Sequence, residues 1–150
     1  MESAAAFAEA LIGPPRQASG RNAIGAALIY GMEQIENNDI NGFRRVIDFS
    51  GDTMANSFGP PITVARDQVV AAGITINALP ILRNTQWQTG DLPAAYEANI
   101  IGGPNAFVMP ARSGPEFTDA VRRKLILEIA GTTPQTEYAS LLLNGLEVGE

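Results

Sequence analysis

Two acidic residues lie where this sequence is most suited to chemistry. Asp48 falls inside a β-rich run, Val46–Ser50, and Asp52 follows it in a polar turn. A helical pattern begins near residue 61, so segment 44–61 predicts a strand, a loop and a helix. Ligands collect at the carboxyl ends of strands in open parallel sheets. The pattern therefore places Asp52 at the edge where binding is expected.

The composition narrows the chemistry that these acids can support. The sequence contains no Cys and no His, which excludes disulfides, thiolate nucleophiles, Ser-His-Asp triads and zinc held by His or Cys. A metal would have to be oxygen-ligated, such as Mg²⁺ or Ca²⁺. The net charge of −6 argues against a nucleic acid partner, because phosphate binding needs clustered Lys and Arg. No apolar run approaches the length of a bilayer span, so no membrane insertion is expected.

The elements that position the acids follow from hydrophobic periodicity and from Gly and Pro breaks. Strands and helices alternate, which predicts an α/β fold: a three-layer, Rossmann-like half-sheet of about three parallel strands with helices on both faces. The predicted domain spans 1–131, and the tail, 132–150, carries one short predicted helix at 137–143. The predicted strands are 46–50, 74–82 and 106–110, and the predicted helices are 3–12, 23–36, 62–72, 92–100 and 115–130.

Two details of the helices can be stated from the sequence. Asp91 is placed to cap the helix that begins at Leu92. In the last helix, apolar residues recur every four positions and predict the buried stripe, namely Phe117, Val121, Leu125 and Ile129.

Four segments together resemble one protein family: 44–61, 73–81, 99–108 and 122–130. It is an uncharacterised proteobacterial family of von Willebrand factor A-like (VWA-like) proteins, a domain of unknown function. The chain is similar to the C-terminal two-thirds of that family and lacks its N-terminal strands. The resemblance implies a Rossmann-like sheet and, at its carboxyl edge, a metal-ion-dependent adhesion site built from several loops.

Carried over by position, this metal site is incomplete. The Asp of its last loop falls on Asp52 and the Thr of its middle loop falls on Asn22, whereas the Asp-x-Ser-x-Ser loop has no counterpart. A hard divalent cation takes about six oxygen ligands, so the resemblance implies a vestigial site with weak or no binding of Mg²⁺ or Ca²⁺. No cofactor is expected.

The acids also have structural interpretations. A turn-forming role, in which the carboxylate accepts backbone N–H groups, is favoured for Asp52. Asp48 lies inside a strand and needs a partner, for which Arg44, Arg45 or a backbone N–H are the candidates.

The leading hypothesis is a non-enzymatic binding module of VWA-like type with an incomplete metal site. One alternative is a Mg²⁺-dependent hydrolase that acts through Asp48 and Asp52. Another is a fragment of a longer protein without a function of its own. The start of the sequence has no basic region before its apolar residues and is a poor signal peptide, while the resembled family looks exported. The compartment therefore stays open.

The predicted sheet has a further consequence for partners. If Val46–Ser50 has lost the strand that would lie beside it, one row of its backbone groups is open to pairing. A two-fold homodimer through this edge is the expected solution, in addition to a protein partner. The alternative is that the amino-terminal helix folds over the edge.

Overall fold

The computed structural model describes residues 5–6, 9–10, 12–13, 20–83, 90–112 and 115–130. In this part of the chain the strands form one parallel sheet in the order β1-β2-β3, which confirms the predicted α/β architecture. The predicted tail helix at 137–143 lies outside the described residues. The strands are β1 (Val46–Gly51), β2 (Thr75–Leu82) and β3 (Ala111–Arg112). The helices are α1 (Ile24–Glu36), α2 (Ile62–Ala71), α3 (Leu92–Asn99) and α4 (Pro115–Ala130).

The helix ends follow from the local sequence. Asp91 caps α3 as predicted, because its carboxylate accepts a hydrogen bond from the backbone N–H of Ala94 at 3.1 Å. Gly73 ends α2 with a φ of 74°, a left-handed conformation that favours glycine. Residues 5–6, 9–10 and 12 are helical as well. Among the described residues, no helix is long and apolar enough to cross a membrane.

The two faces of the sheet are covered by different helices. Successive side chains of β2 point to opposite faces, so Ala78 and Leu79 belong to separate hydrophobic clusters. The larger cluster packs α1, α2 and α3 on one face, and the smaller cluster packs α4 on the other. The buried residues of the larger cluster are Ile24, Leu28, Ala65, Val69, Ile74, Ile76, Ala78, Leu92, Tyr96 and Ile100.

The sheet places β1 at one of its edges. Val46 lies beside Thr75 and Gly51 lies beside Pro80, so the carboxyl end of β1 is level with the carboxyl end of β2. The carbonyl of Arg45 accepts a hydrogen bond from the N–H of Thr75 at 3.0 Å. Within the described part of the chain, β2 is the only strand that neighbours β1.

The predicted third strand is wrong in its bounds. The regular strand β3 covers Ala111–Arg112, whereas segment 106–110 makes only an isolated parallel bridge between Val108 and Ala78. The register explains the interruption, since the pairing of Ala111 with Ile81 puts Pro110 opposite Pro80. Proline has no N–H to donate, so the ladder breaks at this pair and resumes after it.

The predicted buried stripe of α4 is wrong at two of its four positions, whereas Val121 packs against the smaller cluster. Phe117 and Leu125 are exposed, at 36% and 48%, and the side chain of Ile129 is not among those described. The helix instead buries Ala120 and Lys124, which are 8% and 7% exposed. On this face Lys124 forms an ion pair with Asp48 of β1. A lysine of α4 is therefore a partner of Asp48, and the sequence did not predict it.

We predict that the Lys124–Asp48 pair couples α4 to β1. Asp48→Asn should lower the free energy of unfolding by about 2 kcal/mol, because it leaves a buried ammonium without its carboxylate. This is less than the roughly 3–5 kcal/mol of a fully buried pair, since the Asp48 side chain is 43% exposed. Lys124→Met should cost less, because the carboxylate that remains is half in water. Urea unfolding of both variants and of the double variant gives the coupling energy, expected at about 1 kcal/mol or more.

A matched control for the Lys124–Asp48 pair is the ion pair of Glu116, which lies on the same helix as Lys124. Arg112 and Glu116 form an ion pair at 3.9 Å whose side chains are 70% and 69% exposed. Glu116→Gln should change the free energy of unfolding by less than about 0.5 kcal/mol. Purely additive effects of the Asp48 and Lys124 substitutions would show that the pair does not couple the two elements.

Candidate functional site

A cleft of about 180 Å³ opens at the carboxyl end of β1. It brings together Asn22 and Asp52, the two residues that the family resemblance assigned to a vestigial metal site. One wall is formed by the end of β1 and the turn after it, and the other by the start of α1. The lining residues are Asn22, Ala23, Ile24, Ala27, Phe49, Ser50, Gly51, Asp52 and Thr53.

The two walls are held together by Asn56, which lies in the loop between β1 and α2. Ala23 has no side chain that can cap α1. The side-chain carbonyl of Asn56 instead accepts a hydrogen bond from the N–H of Gly25 at 3.0 Å, while its amide donates to the carbonyl of Pro60 at 2.9 Å. Nearby, the N–H of Ser57 donates to the carbonyl of Asn22 at 2.8 Å. These bonds fix the start of α1 against a loop that is far from it in sequence.

This contact requires a glycine at position 25. A Cβ atom built there would lie 2.1 Å from the carbonyl oxygen of Pro60, which is a backbone atom with no room to yield. Gly25 therefore allows the loop to approach α1 closely enough for the bonds of Asn56. Without this approach, Asn22 and Asp52 would not share one cleft.

Tyr96 of α3 supports the turn that carries Asp52. Its hydroxyl donates to the carbonyl of Thr53 at 3.1 Å, and its ring packs 5.8 Å from that of Phe49 at an interplanar angle of 51°. The residue is fully buried. Burial raises the pKa of Tyr96 to about 12, and the negative charge of Asp52 contributes to the increase. The hydroxyl therefore stays protonated and keeps donating at neutral pH.

Asp52 is paired with a cation from the neighbouring strand. The Nε of Arg83, the residue after β2, lies 2.8 Å from Oδ2 of Asp52. The sequence interpretation favoured a turn-forming role for Asp52 and did not foresee this partner. Arg83 could have been found by the same logic as Asp52, since both residues directly follow parallel strands that pair with each other.

Asp48 and Asp52 do not form one site. Asp48 lies inside β1 and pairs with Lys124 of α4, whereas Asp52 follows the end of β1 and lines a cleft with residues of α1. Four residues along a strand also separate positions by roughly 13 Å. The two carboxylates are therefore not arranged to act on one substrate.

The residues of the cleft do not fit a tightly bound divalent cation. Such an ion needs about six oxygen ligands, several of them from the protein. The cleft offers the side chains of Asn22 and Asp52 in the positions that the resemblance implies, and Arg83 already occupies the carboxylate. Across the described residues there is no group of three or more acidic residues that could hold a metal ion.

A family model described as "Protein of unknown function (DUF1194)" matches residues 1–133. Comparison with curated proteins and with solved structures gave no match.

We predict that ionisation of Tyr96 destabilises the site. Because the pKa is near 10.0 in the unfolded chain and about 12 in the folded one, the folded state retains the proton longer. The contribution of the protonated Tyr96 hydroxyl to the free energy of unfolding is complete below about pH 10 and is lost as pH rises from about 10 to about 12. Urea unfolding across this range should show a decline that is absent in Tyr96→Phe.

Absorbance titration of tyrosinate gives the second readout. The sequence has three tyrosines, and Tyr96→Phe should remove the component that titrates near pH 12. Tyr96→Phe should also lower the free energy of unfolding by about 1 kcal/mol at neutral pH, because the carbonyl of Thr53 loses its donor. Loss of a component that titrates near pH 10 would contradict the burial of this hydroxyl.

Proposed function

The chain belongs to the family described as "Protein of unknown function (DUF1194)", and from this premise we propose that it is a non-enzymatic binding module of VWA-like type. Its binding surface is the cleft at the carboxyl end of β1. The observation that carries the proposal is the convergence of Asn22 and Asp52 on this cleft, since the two residues come from separate segments that Asn56 holds together.

The dimensions of the cleft favour a protein partner over a small molecule. Pockets for small ligands usually measure about 300–1,000 Å³, whereas this cleft holds about 180 Å³, which suits a single inserted side chain. Phe58 is 63% exposed and follows Ser57 in the sequence, whose N–H donates to the carbonyl of Asn22. Exposed aromatic residues are enriched in protein interfaces.

The alternative of a Mg²⁺-dependent hydrolase has less support. Its two carboxylates, Asp48 and Asp52, have different cationic partners, Lys124 and Arg83 respectively. General acid–base chemistry would need a group placed beside the nucleophile. Neither His nor Cys occurs in the sequence to provide one.

We predict that binding of the partner depends on Phe58 and Asp52. After cross-linking in an extract of the native host, the wild-type chain should recover a partner that Phe58→Ala recovers at least about tenfold less. Asp52→Asn should reduce recovery as well. Phe43→Ala is the matched control, because Phe43 is a fully exposed aromatic before the amino end of β1, at the opposite edge of the sheet. Addition of a metal chelator should leave recovery unchanged.

Two results would contradict this function. Equal loss of the partner in Phe58→Ala and Phe43→Ala would place the binding surface elsewhere. Mg²⁺-dependent hydrolysis of a phosphate ester that is abolished by both Asp48→Asn and Asp52→Asn would instead establish the enzyme.

We also propose that the edge of β1 pairs with a second copy of the chain. The backbone N–H and C=O groups of successive residues in a strand point to alternate sides. Since the carbonyl of Arg45 points to β2, the backbone groups of Val46 and Ser50 point away from β2. A two-fold antiparallel arrangement that sets Val46 against Ser50 also brings Arg44 of one copy beside Asp52 of the other. The same register sets the two copies of Asp48 opposite each other, and each of them is paired with Lys124 of its own chain.

We predict that the dimer depends on the outward N–H of Ser50. Sedimentation at micromolar concentration should give twice the mass of one chain for the wild type. Ser50→Pro removes the outward donor without touching a β1–β2 hydrogen bond, so it should yield monomers. Ser50→Ala retains the N–H and should remain dimeric. A monomeric wild type would refute the dimer.

A further inference from the structure

The position of Arg83 shows how the carboxylate of Asp52 is neutralised in a cleft that lacks the ligands of a metal site. Gly51 lies beside Pro80 in the sheet, so Asp52 and Arg83 emerge from neighbouring strand ends at the same edge. Their contact joins Nε to Oδ2 at 2.8 Å, the length of a charge-assisted hydrogen bond. The side chains of Arg83 and Asp52 are 59% and 35% exposed, so the pair is in contact with solvent.

A guanidinium and a divalent cation place different demands on a site. A tightly bound cation gathers about six oxygens, several of them from the protein, and Asp52 is the one charged ligand among the residues that line the cleft. A guanidinium is permanently charged, is weakly hydrated and needs only one carboxylate to form a strong pair. The residues around Asp52 meet the second requirement and do not meet the first.

We infer that Arg83 is the resident cation of this cleft, meaning that its guanidinium takes the place at Asp52 that a divalent cation would otherwise take. The chain's own side chain neutralises the carboxylate, and the cleft is electrostatically complete without a metal. Removal of the guanidinium takes its positive charge away from Asp52, so a cation from solvent can approach this carboxylate. The variant then becomes a weak divalent-cation site.

The inference is tested by measuring cation binding to matched variants. Mn²⁺ binding is followed by electron paramagnetic resonance, and Ca²⁺ and Mg²⁺ binding by calorimetry. Arg83→Gln should bind at least about fivefold more tightly than the wild type, with a dissociation constant of the order of 10⁻³ M, as expected for a site with few charged ligands. Arg83→Lys keeps the positive charge and should stay close to the wild type.

Two controls separate this effect from general electrostatics. Arg112→Gln removes the same charge from an exposed ion pair on β3, which lies beyond β2 from β1, and should leave cation binding at the wild-type level. Arg83→Gln combined with Asp52→Asn should lose the gained affinity. Urea unfolding establishes that each variant is folded.

Three results would overturn the inference. Equal cation affinity in the wild type and Arg83→Gln would mean that Arg83 does not occupy the position. An equal gain in Arg112→Gln would assign the effect to net charge. Persistence of the gained affinity in the double variant would place the cation away from Asp52. These readouts require no protein partner, so they are independent of whether the proposed binding function is correct.

Discussion

The candidate site depends on one side chain, that of Asn56, which bonds to the start of α1 and to its own loop. The first backbone N–H groups of a helix have no partner inside the helix, and Ala23 cannot supply one. Asn56 satisfies Gly25 and at the same time fixes the carbonyl of Pro60. A net hydrogen bond contributes only about 1 kcal/mol, but a part-buried N–H left without a partner costs more. The geometry of the cleft is therefore tied to the need to complete a helix terminus.

The two faces of the sheet are built on different principles. On the face of α1, α2 and α3, the contacts are apolar and the buried side chains interlock. On the other face, α4 buries little, and its smaller cluster contains only Leu79, Ala111 and Ala120 as fully buried residues among those described. The ion pair of Lys124 with Asp48 supplements this weak contact. A charged residue therefore orients α4 where an apolar stripe would normally do so.

The sequence predicted the secondary-structure elements and two residues of the site, Asn22 and Asp52. Pro61, Gly73 and Asp91 mark element boundaries through local chemistry, so the bounds of α2 and α3 could be predicted closely. Asn22 and Asp52 came from family resemblance, and the structure brings them together. The partners that act across the fold, Asn56, Arg83, Tyr96 and Lys124, carry no periodic signal. The α4 prediction is wrong at two positions, since the buried face carries an ion pair that periodicity does not register. The β3 prediction failed because the facing prolines matter only once the register is known.

The burial of Lys124 determines how the chain reacts with reagents that modify amines. It is the one lysine of the sequence, and it is 7% exposed and held against Asp48. A reagent that acylates amines needs a free, accessible amino group, which the buried side chain of Lys124 does not offer in the folded chain. Acylation of Lys124 would in turn report how often α4 lifts from the sheet.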